Sequence, residues 1–250
     1  MSPSAPVMLV VGGSGSIGSA IAAEAAAAGW HVAIHGRSEA STEKAVAALQ
    51  AGAATGFSAD LTSPGAVERL VEQVGDQLGR IDAVVDCLSS GPQGRITGRF
   101  DQTDPEAYLE FYRLSIVHLQ RLAHAALPWL SRAGGTLICF ASDAGKFAAR
   151  NQTMIGASRA AIMGFARNLA MDVAENQVRV HCISPSFVVG SASITRIEAA
   201  GSSRIERARR RAGLGLPTAA DIAPLAVFLC GPGAKRITGQ VISVNGGLNA

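Results

Sequence analysis

The sequence has few charged residues, few cysteines and only a small net charge. Charged side chains make up 16% of the 250 residues and hydrophobic ones 48%, which excludes a disordered, collagen-like or highly charged chain. Lys and Arg number 22 against 19 Asp and Glu, and a formal charge of +3 does not predict a nucleic-acid-binding protein. Any recognition of phosphate must therefore come from local sites.

The four cysteines stand far apart in the sequence, at Cys87, Cys139, Cys182 and Cys230. They form no CxxC pair and have no histidine at metal-ligand spacing, so we expect reduced, buried thiols in a cytoplasmic protein and no metal site. The first six residues carry no basic side chain, so we expect no secretion signal. The most apolar helical stretch, 17–28, contains Glu24 and is too short to span a bilayer, so we expect no membrane partner.

Short β-branched runs alternate with longer helical patterns along the whole chain. We expect strands at 7–11, 31–35, 54–58, 83–87, 136–140, 179–183 and 240–244. Beyond the first helix, we expect helices at 41–50, 64–78, 105–126, 156–174 and 219–229. This alternation is typical of βαβ units, so we predict a single α/β domain over residues 1–250. Its fold would be a Rossmann-type, doubly wound parallel sheet with helices on both faces.

The segment 184–217 departs from this alternation, because it is rich in Ser, Gly and Arg and would make a poor core. Ligands of open α/β sheets bind beyond the carboxyl ends of the strands, so we interpret this segment as an irregular candidate substrate lid. It contains a cluster of arginines, namely Arg204, Arg207, Arg209, Arg210 and Arg211. They form either a solvated helix face or a site for a phosphate of a coenzyme A thioester or an acyl carrier protein.

The first predicted strand runs into a glycine-rich turn and then into an alanine-rich helix. The turn consists of Gly12, Gly13, Ser14, Gly15, Ser16, Ile17 and Gly18. Backbone amides in such a turn can approach a pyrophosphate, and the helix N-terminus adds unpaired N–H groups and a positive dipole end. Because it lies between a strand and a helix, the pattern predicts dinucleotide binding rather than a merely structural turn.

The end of the second strand favours NADP over NAD as the cofactor. An NAD site usually has an acidic residue here, whereas this chain has Gly36 followed by Arg37 and Ser38. The Arg37 cation can bind a 2′-phosphate, and a solvated arginine is the alternative. After the third strand come Asp60 and Leu61, where the Asp60 carboxylate either accepts from the adenine amino group or forms a turn.

Motifs along nearly the whole chain resemble those of the short-chain dehydrogenase/reductase family. They are the turn 12–18, the pair 60–61, Ser142 with Gly145, the pair 184–185, and the closing runs 237–240 and 244–247. The resemblance implies one doubly wound domain that binds a nicotinamide dinucleotide, with Pro185 and Arg159 among the cofactor contacts. It also implies interconversion of alcohols and carbonyls by a homo-oligomer, either a tetramer or a dimer.

The resemblance also identifies the catalytic positions, and most of them are altered. Family members use an Asn, a Ser, and a Tyr and Lys spaced as YxxxK. Matched by position, the serine is Ser142. Ser115 replaces the asparagine, Ile155 the tyrosine and Arg159 the lysine. Isoleucine cannot act as an acid or base, and losing general acid catalysis costs about 10²- to 10⁴-fold in rate, so we predict either another proton source or an abandoned reaction.

Several polar side chains could take over the lost chemistry. The Ser142 hydroxyl remains a hydrogen-bond donor, and the fixed cation of Arg159 could stabilise an oxyanion. Asp143 and Lys146 could supply protons, although loop carboxylates and lysines are more often solvated. Tyr112 points either toward the site or into the core.

The five histidines show no triad or metal spacing. His181 lies in the middle of the sixth predicted strand. We expect it to be a buried imidazole with hydrogen-bond partners.

Three functional hypotheses follow from these residues. The leading one is an NADP-binding oxidoreductase with an unconventional proton donor, acting on a carbonyl or activated alkene of a small molecule that is either free or thioester-linked. The second is a catalytically silent subunit or ligand sensor that pairs with an active homologue through the helices 105–126 and 156–174. The third is a non-redox lyase or isomerase that uses the same pocket.

Overall fold

The computed structural model describes residues 5–88, 93–199, 201 and 203–249. Parts of the candidate lid, at 200 and 202, and the first four residues lie outside this range. The described strands form one parallel sheet in the order β3-β2-β1-β4-β5-β6-β7. Their bounds are β1 Val7–Val11, β2 His31–Gly36, β3 Ala54–Ser58, β4 Ala83–Asp86, β5 Thr136–Phe140, β6 Arg179–Pro185 and β7 Val241–Val244. The strand order reverses between β1 and β4, which confirms the predicted doubly wound α/β sheet.

Helices connect these strands and cover both faces of the sheet. Their bounds are α1 Ser16–Ala27, α2 Glu39–Ala47, α3 Ala66–Leu78, α4 Tyr108–Tyr112, α5 His118–Ala133, α6 Thr153–Asp172, α7 Ala192–Ala199, α8 Arg204–Arg211 and α9 Ala219–Cys230. Within the described part of the chain, every helix is too short or too polar to cross a membrane.

Side chains of each strand alternate between two hydrophobic cores, one on each face. From β1, Val7 and Leu9 pack with residues of α3, α5 and α6, whereas Met8 packs with residues of α1 and α9. This alternation follows from the two-residue period of a strand, and burial of both faces explains why the central strand β1 is entirely apolar. Helices on the first face pack closely, since a Cβ added at Gly75 would lie 2.2 Å from the Trp129 ring.

The predicted helical segment 105–126 is helical throughout and continues to Ala133, but it is not a uniform α-helix. The structure divides it into a 3₁₀ turn at Pro105–Ala107, helix α4, a π-helical segment at Arg113–Val117, and helix α5. Inside the π segment, Ser115 Oγ donates to the Phe111 carbonyl at 2.7 Å. Such bonds from a serine to a preceding carbonyl compete with the backbone ladder and distort a helix, which periodicity alone does not reveal.

The interpretation of 184–217 as an irregular excursion with little core is wrong. Residues 184–185 complete β6, and most of the remaining described residues form α7 and α8. These helices bury Ile194, Ile205 and Ala208. Ala208 belongs to a small apolar cluster with Ala212 and Leu248. The segment is therefore a packed helical cap with a charged outer surface.

The four cysteines are free thiols, of which Cys87 is half-buried and the others are buried. Burial raises the pKa of the Cys230 thiol to about 12, so this thiol stays protonated. The prediction of free, buried thiols is confirmed for Cys139, Cys182 and Cys230, whereas Cys87 is free but half-buried.

Candidate active site

The turn between β1 and α1 has the close packing that a phosphate-binding turn requires. Gly12 has a φ of +72°, and a Cβ at this position would lie 3.1 Å from the Cys87 carbonyl oxygen. A Cβ at Gly18 would lie 2.4 Å from the Gly12 oxygen. Ser14, Gly15 and Ser16 are exposed. Because no described side chain caps the start of α1, its first N–H groups are open to a ligand.

His35 supports this turn, a role that the histidine spacing did not predict. The Gly12 N–H donates to His35 Nδ1 at 3.2 Å, and the Gly13 N–H donates to the His35 carbonyl at 2.8 Å. His35 Nε2 lies 3.0 Å from the Ala59 carbonyl, so the ring is neutral and carries its proton on Nε2. Burial lowers the pKa of His35 and maintains this state. The one feature of the sequence that could have predicted this role is the position of His35 at the carboxyl end of β2.

The end of β2 is surrounded by hydroxyl groups. A Cβ at Gly36 would lie 2.4 Å from Thr42 Oγ1 and 3.1 Å from Ser14 Oγ, so an acidic side chain has no space here. Arg37 and Ser38 are exposed, and Ser38 Oγ caps α2 by accepting from the Ser41 N–H. Hydroxyls and a cation therefore occur together where the second predicted cofactor motif ends.

Asp60 forms a turn, the second of its two predicted roles. Its Oδ1 accepts from the Thr62 N–H at 3.0 Å and from Thr62 Oγ1 at 2.8 Å. These bonds, and the charge of Arg37, lower the pKa of the Asp60 carboxyl. The Asp60 side chain is exposed to solvent. Leu61 packs against the core on the α3 side of the sheet.

The turn that follows Ser142 packs directly on α6. A Cβ at Gly145 would lie 2.6 Å from the Arg159 carbonyl carbon, and a Cβ at Gly156 would lie 2.8 Å from the Ala144 oxygen. Ser142 Oγ accepts from the Ala144 N–H at 3.5 Å, which leaves its own hydrogen for another acceptor. The structure therefore brings the turn of Ser142 against the helix that carries Ile155 and Arg159.

Ile155 occupies an apolar environment at the family's tyrosine position. It is 7% exposed and belongs to a buried cluster with Phe111 and Met154. Tyr112 packs against the same cluster, and its ring centroid lies 5.8 Å from that of Phe111. No titratable group replaces the missing phenol at position 155 itself. Two phenols pack against this cluster, those of Tyr108 and Tyr112, and the Tyr108 hydroxyl is already hydrogen-bonded to Thr103 Oγ1.

Ser115, at the asparagine position, contacts α6 directly. Its Oγ donates to the Phe111 carbonyl and accepts a hydrogen bond from Ser158 Oγ at 3.3 Å. The hydroxyl hydrogen is therefore used inside the protein. Ser115 joins the distorted helix to α6, and its side chain is not a free donor for a substrate.

A buried polar cluster lies beside Arg159. Nε2 of His118 is 3.5 Å from Asp86 Oδ1. Burial opposes protonation of His118, but the attraction of Asp86 is stronger, so the pKa of His118 is raised. Burial lowers the pKa of the Arg159 guanidinium, against the attraction of Cys182 and Asp86. An arginine keeps its charge even so, which makes Arg159 a fixed cation.

Asp143 is buried and Lys146 half-buried, and both are hydrogen-bonded within the protein, which corrects the expectation of solvated loop charges. Asp143 is 2% exposed, and its Oδ1 accepts from Ser184 Oγ and Ser243 Oγ, each at 3.1 Å. Lys146 Nζ donates to Ser243 Oγ at 2.9 Å and to the carbonyl of Val241 at 3.0 Å. Both charges therefore tie the turn to the carboxyl ends of β6 and β7. Pro185, a predicted cofactor contact, is buried at the end of β6.

His181 lacks the hydrogen-bond partners that were predicted for it. Its imidazole is fully buried on β6, and neither ring nitrogen has a partner among the described residues. Burial, with a smaller effect from the Arg179 charge, lowers the pKa of His181 to about 4. The ring is therefore neutral at physiological pH.

A cavity of about 360 Å³ adjoins Ser142 and the start of α6. Its polar lining comes from two sides: the segment 142–152 and the cap helix α8 with Arg204, Arg207 and Arg211. Leu248 and Phe187 supply apolar surface. In the described residues, no cluster of His, Cys, Asp and Glu could hold a metal ion.

The family profile described as enoyl-(acyl carrier protein) reductase matches residues 12–249. Dehydrogenase/reductase SDR family member 4 of Oryctolagus cuniculus is 29% identical over 246 residues, which cover 96% of this chain and 92% of that protein. A short-chain type dehydrogenase/reductase from Mycobacterium ulcerans superposes with a TM-score of 0.88 at 26% identity, covering 99% of this chain and 91% of the other.

A 7α-hydroxysteroid dehydrogenase complexed with NADH and 7-oxo glycochenodeoxycholic acid has the same fold, with a TM-score of 0.87. At 24% identity it covers 97% of this chain and 93% of its own. The glycine turn, the seven-stranded parallel sheet and these full-length similarities agree with one another. The chain belongs to the short-chain dehydrogenase/reductase family of oxidoreductases.

Proposed function

We propose that the chain is an NADP(H)-dependent oxidoreductase that acts on a carbonyl or activated alkene of a small molecule without the family's tyrosine. The observation that carries the proposal is a contrast between two ends of one site. The glycine turn keeps its close packing and open N–H groups, while position 155 is an apolar residue in an apolar cluster.

The cofactor preference rests on the end of β2. The related hydroxysteroid dehydrogenase structure contains NADH. In this chain an acidic side chain at Gly36 would collide with Thr42, and the exposed Arg37 offers a cation for a 2′-phosphate. The pyrophosphate would lie at the turn 12–18, and Arg159 and Pro185 would face the nicotinamide half. These features favour NADP over NAD.

The bound dinucleotide would supply the hydride, and the residues around the substrate would supply polarisation and a proton. Ser142 Oγ has a hydrogen available to donate to a carbonyl oxygen, and the fixed charge of Arg159 favours the developing oxyanion. We assign the proton to Tyr112, because its ring packs against the cluster around Ile155 and the other phenol there, that of Tyr108, is already bonded to Thr103 Oγ1. A carbonyl would then gain one hydride at carbon and one proton at oxygen.

Two measurements on the purified chain test the proposal. NADPH fluorescence titration should show binding that is tighter than that of NADH. The unmodified protein should also oxidise NADPH with members of a carbonyl and enone panel. Tyr112→Phe should reduce this turnover about 10²-fold or more with little change in NADPH affinity. No affinity for either nicotinamide cofactor would refute the proposal.

A catalytically silent subunit is the second candidate, favoured by the burial of Ile155 in an apolar cluster. The helices that would pair expose Leu109, Val117 and Met171, which are 82%, 39% and 77% exposed. In this case NADPH would bind without turnover, and the double variant Ile155→Tyr with Arg159→Lys would gain activity. Product formed without a change in cofactor absorbance would instead favour a lyase or isomerase.

The cellular location and assembly are also proposals. Free, largely buried thiols fit a reducing cytoplasm. Exposed apolar side chains on α4 and α6 fit a homo-oligomer or a pair with an active homologue. Sedimentation of the purified chain, alone and mixed with such a homologue, distinguishes these assemblies.

A further inference from the structure

The cavity beside Ser142 has a marked excess of positive charge. Four guanidinium groups line it, from Arg150, Arg204, Arg207 and Arg211, against the single carboxylate of Asp143. This carboxylate is already engaged, because it accepts hydrogen bonds from serine and asparagine side chains. The cavity therefore offers cationic donors to a ligand and no free carboxylate among its described lining residues.

The arginines of α8 differ according to the face on which they lie. Arg204, Arg207 and Arg211 have the spacing of one helix face, and all three line the cavity. On the other faces, Arg209 lies 3.4 Å from Glu198 and Arg210 lies 3.6 Å from Glu206. Among the described residues, no carboxylate lies within ion-pair distance of Arg207 or Arg211. The two arginines on the outward faces, Arg209 and Arg210, therefore have acidic partners.

The opposite wall adds to the positive potential. Helix α6 has 20 residues, and Asn151 and Gln152, immediately before its first residue, line the cavity. No described side chain caps this end, so its first N–H groups and the positive end of its dipole face the same region. Arg150 extends from the same segment. An anion in the cavity would thus meet cations and backbone donors from two separate elements.

We propose that the cavity binds a small organic substrate through a carboxylate or phosphate group, held between the α8 arginines and the start of α6. Arginine forks match planar oxyanions, and Ser142 on the same cavity would face the substrate's carbonyl. A volume of about 360 Å³ suits a small oxo acid or a sugar phosphate, but most of a coenzyme A thioester would lie outside. This inference deepens the proposed function by naming its substrate class.

Calorimetry with two pairs of probes tests the proposal. Acetoacetate is compared with methyl acetoacetate, and dihydroxyacetone phosphate with dihydroxyacetone, each on protein with and without saturating NADP⁺. We expect the charged member of at least one pair to bind about tenfold tighter or more, with a preference that weakens at high salt. The pair that shows this preference identifies the anionic group as a carboxylate or a phosphate.

Matched variants of α8 test whether the preference for the charged probe arises in the cavity. Arg207→Gln with Arg211→Gln should abolish the preference for the anion. Arg209→Gln with Arg210→Gln removes the same charge from the outward faces and should retain the preference. Arg150→Gln changes the opposite wall and leaves the sequence of α8 intact. It should lower the affinity for the anionic probe about threefold or more. This variant keeps the test decisive if substitutions in α8 unfold the cap.

Equal binding of charged and neutral probes by the wild type would overturn the proposal, as would equal losses in the two α8 double variants. Binding of a coenzyme A thioester that depends on Arg207 and Arg211, without binding of either small anion, would also overturn it. Failure of the proposed function is separate, because it would appear as missing NADPH binding while the cofactor-free protein still preferred the anionic probe.

Discussion

Asn245, which follows β7, donates a hydrogen bond of 2.5 Å to Oδ2 of Asp143, which follows β5. Ser184 on β6 and Ser243 on β7 donate to the other carboxylate oxygen. One carboxylate thus joins the carboxyl ends of β6 and β7 to the turn that begins at Ser142. Since that turn packs on α6, Asp143 sets the position of Ser142 against Arg159.

Replacing Asp143 by Asn should destabilise the fold. The amide would present N–H groups to donors that need an acceptor, in a site that is almost fully buried. We expect the free energy of unfolding to fall by about 3 kcal/mol, as for other buried charged hydrogen bonds that lose their partner. Urea denaturation measures this. Asp172→Asn, on the exposed end of α6, is the control and should change stability by less than about 0.5 kcal/mol.

Gly18→Ala should impair cofactor binding and stability together. The new Cβ would approach the Gly12 oxygen to 2.4 Å, and this backbone atom cannot rotate away as a flexible side chain could. We expect a loss of about 1–3 kcal/mol in unfolding free energy and weaker NADPH binding. Gly164→Ala is the control. Its new Cβ meets no atom within 4 Å, and Ala favours the helical backbone of α6 more than Gly does, so the unfolding free energy should rise by about 0.5–1 kcal/mol. Equal effects in the two variants would contradict the role of close packing.

Arg37→Ala should separate the two nicotinamide cofactors. If the Arg37 side chain binds the 2′-phosphate, its loss should raise the dissociation constant of NADPH about tenfold and leave that of NADH unchanged. Fluorescence titration of both cofactors measures the two constants. Arg167→Ala, an exposed arginine on α6, controls for loss of charge and should leave both unaltered. A parallel loss of NADPH and NADH affinity in Arg37→Ala would rule out selective recognition of the phosphate.

The sheet was predictable because its signal is local. Most strands contain several β-branched residues, and the seven predicted strands match the observed ones within two residues at each end. The π-helical stretch inside the helical segment 105–126 could not be predicted, for an equally physical reason. A serine hydroxyl competes with the backbone at Ser115, and this competition has no trace in apolar periodicity. Residues 184–217 were misjudged because Ile194 and Ile205 bury a narrow apolar stripe within a charged segment.

The site was predictable only where a motif carries it. The glycine turn and the altered position 155 could be recognised from spacing and resemblance. The acceptor role of His35 depends on a bond to Gly12, 23 residues away, and the Asp143 bond to Asn245 spans 102 residues. Neither separation follows from a helical or strand period. The cationic cavity could not be predicted either, because its two walls, α8 and the segment that follows β5, are far apart in the sequence.

The buried imidazole of His181 should make stability depend on pH. Its folded pKa of about 4 lies below the ordinary value of 6.5, so between these values the unfolded chain binds a proton that the folded chain does not. Stability is therefore retained above pH 6.5 and lost as the pH falls toward 4, by about 3 kcal/mol from this group. His35, whose pKa is also lowered by burial, contributes in the same direction.

His181→Leu removes this group and the two ring nitrogens that lack partners among the described residues. We expect the unfolding free energy of this variant to decline less between pH 6.5 and 4 than that of the wild type. At pH 8 its unfolding free energy should equal or exceed that of the wild type, since an apolar residue leaves no polar group unsatisfied. Urea denaturation across this range is the measurement. His124→Gln, an exposed histidine of α5, should leave the decline intact. An unchanged decline in His181→Leu would show that other groups cause it.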